Sequence, residues 1–171
     1  MEDADARAKT DQFELLIAFG RAAVKAQEIE SLLQETLIIV EVARDRRNRS
    51  VQTIADELER LTLGQLKQRY LDSAIGKKIE DPLFAKMWKE LNDERIFLMH
   101  KFFQIFPLAT FAGNKKALSR LNHIDRLLDI GRNHLADSLK LTMRMTKMDK
   151  PKLRELLAQV VEVRKRMKPP E

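Results

Sequence analysis

From Asp11 to Arg44, Phe19, Ala22, Ala26, Ile29, Leu33, Thr36, Val40 and Ala43 recur at alternating gaps of three and four. That spacing predicts one long helix with a single buried seam. At about 1.5 Å per residue the helix would extend roughly 50 Å, and the alanines in its seam would let another helix approach closely, within the chain or from a second copy. Residues 1–10 carry few apolar positions and are expected to form a flexible tail.

The next elements are announced by their ends. Ser50 is an N-cap for a helix from about Val51 to Leu61. Thr62 and Gln65 form a capping box that restarts a helix as far as about Ser73. Gly76, Lys77 and Lys78 mark a loop. Asp81-Pro82 pairs a capping acceptor with a proline whose missing amide costs nothing at that place, and that helix should run to Phe106, before Pro107. After Gly113 and Asn114, Leu118, Leu121, Leu128, Leu135, Leu139 and Met143 form the buried stripe of a helix from about Lys115 to Met148. A last helix follows Asp149-Lys150-Pro151 and ends near Met167, before Pro169-Pro170. The expectation is an all-α, up-and-down bundle of four to five helices with long first and fourth members. Its divisions would be the tail at 1–10, the bundle at 11–148, and an accessory C-terminal helix and tail at 149–171.

Composition narrows the chemistry. There is no cysteine among the 171 residues, which removes disulfide frameworks, thiolate metal sites and cysteine nucleophiles together. Apolar runs such as Leu37 to Val40 and Ile96 to Met99 fall far short of the ~18 a membrane span needs, and the acidic N-terminus is unlike a secretory leader. A cytoplasmic protein with no membrane partner is expected. The 32 Lys and Arg against 26 Asp and Glu give a net charge of +6, which favours a polyanionic partner without identifying one.

The most informative stretch is Asn92 to Phe103. At about 100° per residue, Phe84, Trp88, Leu91, Met99, Phe102 and Phe106 cluster around Arg95, so the guanidinium is expected in the middle of the apolar stripe, where it needs a partner or a cavity. Glu28, Glu35 and Glu41 on the first helix are candidate carboxylates for such a pair. His100 falls about 140° from Arg95 on the same wheel. Ile96, Phe97 and Phe103 form a second apolar surface, of the kind that meets another helix or subunit.

Arginine, four residues and histidine within an apolar helix of a small helical protein resembles the R-x(4–6)-H motif of the HEPN superfamily, matched here by Arg95 and His100. The order of long, short, motif-bearing and long helices is also similar over about Phe13 to Met148. The resemblance implies a metal-independent endoribonuclease of toxin or defence type, acting as a homodimer whose two motif helices form one cleft, or a catalytically degenerate relative. His100 would then be the acid–base group and Arg95 the phosphate ligand. An imidazole with a reference pKa of about 6.5 exchanges protons near neutrality, and a guanidinium matches phosphate in bidentate fashion. Ile96 stands where active members commonly carry Asn, Asp or His, and Phe102 where toxins paired with a nucleotidyltransferase antitoxin often carry tyrosine.

Other readings stay open beside it. The chain could be a non-catalytic helical interaction protein in which Arg95 only forms an internal ion pair. It could also be an accessory subunit that binds nucleic acid through Arg44, Arg46, Arg47 and Arg49, a cluster next to the helix start at Ser50, although such a run also suits a solvated turn. Arg164, Lys165, Arg166 and Lys168 read as a solubilising tail. The partners implied are a second copy, RNA, and a protein partner such as an antitoxin. No metal or cofactor is called for: His123 and His134 lie about 16 Å apart along one helix, and no phosphate-binding glycine loop or metal motif is present.

Overall fold

The computed structural model describes residues 2–44, 49–73, 76–79, 82–107, 114–145 and 149–167. Those residues are all-α, with no strand among them. The elements are α1 (Glu2–Arg44), α2 (Val51–Glu59), α3 (Leu63–Asp72), α4 (Gly76–Ile79), α5 (Pro82–Ile96), a π-helical turn (Phe97–Lys101), α6 (Phe102–Ile105), α7 (Asn114–Met145) and α8 (Lys150–Met167). There are more helices than the expected four to five, because Gly76–Ile79 is a short helix instead of a loop and the motif helix is divided by the π-turn. The first helix starts at Glu2, so the segment expected as a tail is helical. Asp81, Gly113, Pro169 and Pro170 lie outside the described residues.

The caps explain several boundaries. The Thr53 amide donates to Ser50 Oγ at 3.1 Å. Thr62 and Gln65 exchange both bonds of a capping box, with the Thr62 amide donating to Gln65 Oε1 at 2.8 Å and the Gln65 amide to Thr62 Oγ1 at 3.3 Å. The Lys152 amide donates to Asp149 Oδ1 at 2.9 Å. Each cap satisfies backbone donors that a helix start otherwise leaves to water.

The chain forms two compact units, each discontinuous in sequence, and α1 and α7 contribute a segment to both. The first comprises residues up to Ile29 together with Pro82–Asn133. Its core contains Leu15, Ala22, Ile29, Trp88, Leu91, Leu98, Phe102, Leu121, Ile124 and Leu128. Here Gly131 of α7 is a close-approach point, since a β-carbon there would overlap Leu91 Cδ1 and touch Ile29 Cδ1 at 3.5 Å. Lys25 of α1 holds Asp125 and Asp129 of α7 at 2.8 Å each. Burial works against its ammonium, but hydrogen bonds to the two carboxylates outweigh that and raise its pKa above the ordinary lysine value.

The second unit comprises Glu30–Asp81 and His134–Glu171. Leu33, Leu37, Ile39, Ile54, Leu58, Leu63, Leu66, Tyr70 and Leu135 are buried in it, and α8 buries Leu156, Val160 and Val163. The C-terminal helix packs on α2 of its own chain. Gly76 closes against α3: its amide donates to Ser73 Oγ at 3.0 Å, and a β-carbon would overlap the Tyr70 carbonyl. The seam expected in α1 is borne out at Ala22, Ala26, Ile29, Leu33, Thr36 and Val40, with Thr36 Oγ1 donating to the Leu32 carbonyl at 2.7 Å.

Candidate functional site

On the helix that carries Arg95 and His100, the buried line runs Trp88, Leu91, Glu94, Leu98, Phe102. Arg95 is therefore half-buried at the margin of the apolar stripe instead of in its middle, and His100 is exposed. Met99, expected on the buried side, is 43% exposed. The buried line has already moved to Glu94 before the π-turn at Phe97–Lys101 begins, and at about 100° per residue Met99 then falls well to one side of it.

The same turn acts on the pair. In an unbroken α-helix, residues five apart diverge by about 140°. In a turn of i→i+5 bonds, residues five apart stack much as residues four apart do in an α-helix. Phe97–Lys101 contains His100 and begins two residues after Arg95, so part of the interval between the two residues is wound in this way.

Of the three residues expected on a second apolar surface, Ile96 and Phe103 are exposed, at 40% and 36%, with Met99 between them. Phe97 is instead half-buried. Its ring meets Phe102 and Phe106 edge-on at centroid distances of 6.0 and 6.5 Å, and the Arg120 guanidinium lies 5.2 Å above it. Phe103 packs at 4.5 Å against Phe19 of α1.

The residue patterns did not signal one charge contact of this unit. Glu94, next to Arg95 and 8% exposed, accepts from Arg120 Nη2 through Oε1, while its Oε2 is buried with no hydrogen-bond partner. One turn earlier, Glu90 lies 3.7 Å from His123 Nε2. The acidic edge of α5 thus faces α7, where Lys115, Ser119, Asn122, His123 and Arg126 line a shallow groove. A pairing between residues 26 positions apart leaves no periodic trace.

The carboxylates considered for Arg95 include two that are engaged elsewhere. Glu28 meets Arg132 at 3.3 Å, and Glu41 accepts from Arg69 at 2.5 and 2.8 Å. Arg49 Nη1 donates to Glu41 at 3.2 Å and Arg49 Nη2 pairs with Glu57. The Arg49 hydrogen bond, with Arg69 helping against a smaller desolvation, holds the Glu57 carboxyl below its usual range. Arg49 is therefore part of a four-charge network of the second unit, Arg44 is exposed at the end of α1, and Arg46 and Arg47 lie outside the described residues. No group of three or more metal-ligating side chains occurs among the described residues, and none of the described helices is long and apolar enough to cross a membrane.

No protein-family model, no curated protein and no solved structure matches this chain. Any functional reading rests on the geometry of the chain itself and on the motif it carries.

Proposed function

We propose that the chain is a metal-independent endoribonuclease that works as a homodimer, with Arg95 and His100 as its reacting pair. The observation that carries this reading is an exposed histidine, within a π-helical turn, five residues after a half-buried arginine, on a helix with an exposed apolar strip of Ile96, Met99 and Phe103. Arg95 holds the scissile phosphate and balances the charge that develops on it. His100 takes the proton of the ribose 2′-hydroxyl as that oxygen bonds to phosphorus. The bond from phosphorus to the 5′ oxygen breaks, and the partner's His100 supplies the proton to the leaving oxygen. The products are a 2′,3′-cyclic phosphate and a 5′-hydroxyl, with no redox change and no metal required. Arg44, Arg46 and Arg47 add cationic charge for the RNA backbone.

Incubation of the purified protein with RNA in excess chelator tests this. Wild type is expected to cut, His100→Ala to lose roughly 10²- to 10⁴-fold in rate, and Arg95→Ala to lose on the order of 10²-fold or more. Equal rates in wild type and His100→Ala would overturn the assignment. A second reading, a non-catalytic helical interaction protein, is favoured by the same exposed apolar strip; absence of cleavage by a folded wild type would leave that one standing.

A further inference from the structure

Among the described residues of the first unit, the outer face of α1 carries exposed apolar side chains. Phe13, Ile17 and Val24 are 65%, 46% and 56% exposed, and their gaps of four and seven put them on one strip about 17 Å long. Leu16, 45% exposed, flanks it. Gly20, between Ile17 and Val24, has nothing within 4 Å of where a β-carbon would stand, so the strip has a notch one turn from a protruding isoleucine. Glu14 and Arg21, both exposed, lie seven apart along the opposite edge of the strip.

We infer that this face is the docking surface for a second copy of the chain, paired antiparallel about a two-fold axis between Ala18 and Phe19. A two-fold axis across a helix brings like edges together and reverses direction. Under it, Ile17 of each copy enters the notch at the partner's Gly20, and Phe13 covers the partner's Val24. Charge selects the same occupant: Glu14 of each copy comes alongside the partner's Arg21, twice per dimer, because the antiparallel two-fold brings the edge that carries both residues against its own copy. This surface is distinct from the contact between motif helices that the functional reading requires, and its test uses no RNA.

The test is a charge exchange read by sedimentation. Wild type is expected to be dimeric, and Glu14→Arg and Arg21→Glu each to be monomeric while keeping wild-type helix content. When the two single variants are mixed, every cross-pair is again opposite in sign, so the dimer is expected to return. The double variant Glu14→Arg/Arg21→Glu should also dimerise, and Gly20→Leu, which fills the notch while raising helix propensity, should not. A monomeric wild type, single variants that dimerise as wild type does, or a mixture that stays monomeric would each overturn the inference. A dimer that passes every arm but leaves RNA intact would overturn the nuclease reading alone.

Discussion

The Glu94 side chain is 11% exposed, whereas the Arg120 side chain it pairs with is 41% exposed and also covers the Phe97 ring. Removing one partner from a pair costs most when the charge left behind cannot reach water. Arg120→Leu is accordingly expected to cost roughly 3 kcal/mol. Glu94→Gln strands only a guanidinium that can rehydrate and is expected to cost about 1 kcal/mol. Urea melts of the two variants check the order, and a larger loss in Glu94→Gln would contradict it. Glycines separate in the same way. Gly64 has only Thr62 Oγ1 nearby, at 3.9 Å, so Gly64→Ala should stabilise by up to about 1 kcal/mol. Gly131→Ala would force the fully buried Leu91 to move and should destabilise by about 1 kcal/mol or more despite its better helix propensity.

At the scale of elements, what the chain discloses in advance is local. Ser50, the Thr62–Gln65 capping box and Asp149 act within three residues of themselves, so their patterns are readable without a fold. The seam of α1 was readable because each of its positions repeats the same demand. The tight contact at Gly131 and the Glu94–Arg120 pair depend on which helices meet, and no local pattern encodes that. The π-turn escaped for another reason. A gap of four from Leu98 to Phe102 suits either helix type, so the spacing of buried positions does not distinguish them. Deleting Met99 should therefore convert the turn to an ordinary α-turn, with the buried line at gaps of three and four and the arginine four residues from the histidine. Helix content by circular dichroism should be unchanged and the melting temperature should hold or rise; a collapsed fold would show that the extra residue is structurally required.

For the molecule as a whole, the single tryptophan and the single tyrosine report on different units, because Trp88 is buried in the first and Tyr70 in the second. Both units take segments of α1 and α7, so losing either helix strips both cores. Trp88 fluorescence and Tyr70 absorbance are expected to change in one coincident transition, and two separated midpoints would contradict this. Burial pushes the Tyr70 hydroxyl above its ordinary pKa, with Ser138 opposing the shift. As pH rises through about 10 the unfolded chain releases that proton before the folded one does. Stability is thus fully present below that pH and declines above it, and the decline should be smaller in Tyr70→Phe. The central claim concerns one pair of side chains and one bond. It is tested most directly by end-group analysis of a labelled RNA incubated with the protein in excess chelator, beside the same strand carrying 2′-deoxyribose. The account predicts 2′,3′-cyclic phosphate ends from the ribose strand only, and none with His100→Ala. Cleavage of the deoxy strand, or identical products from His100→Ala, would contradict it.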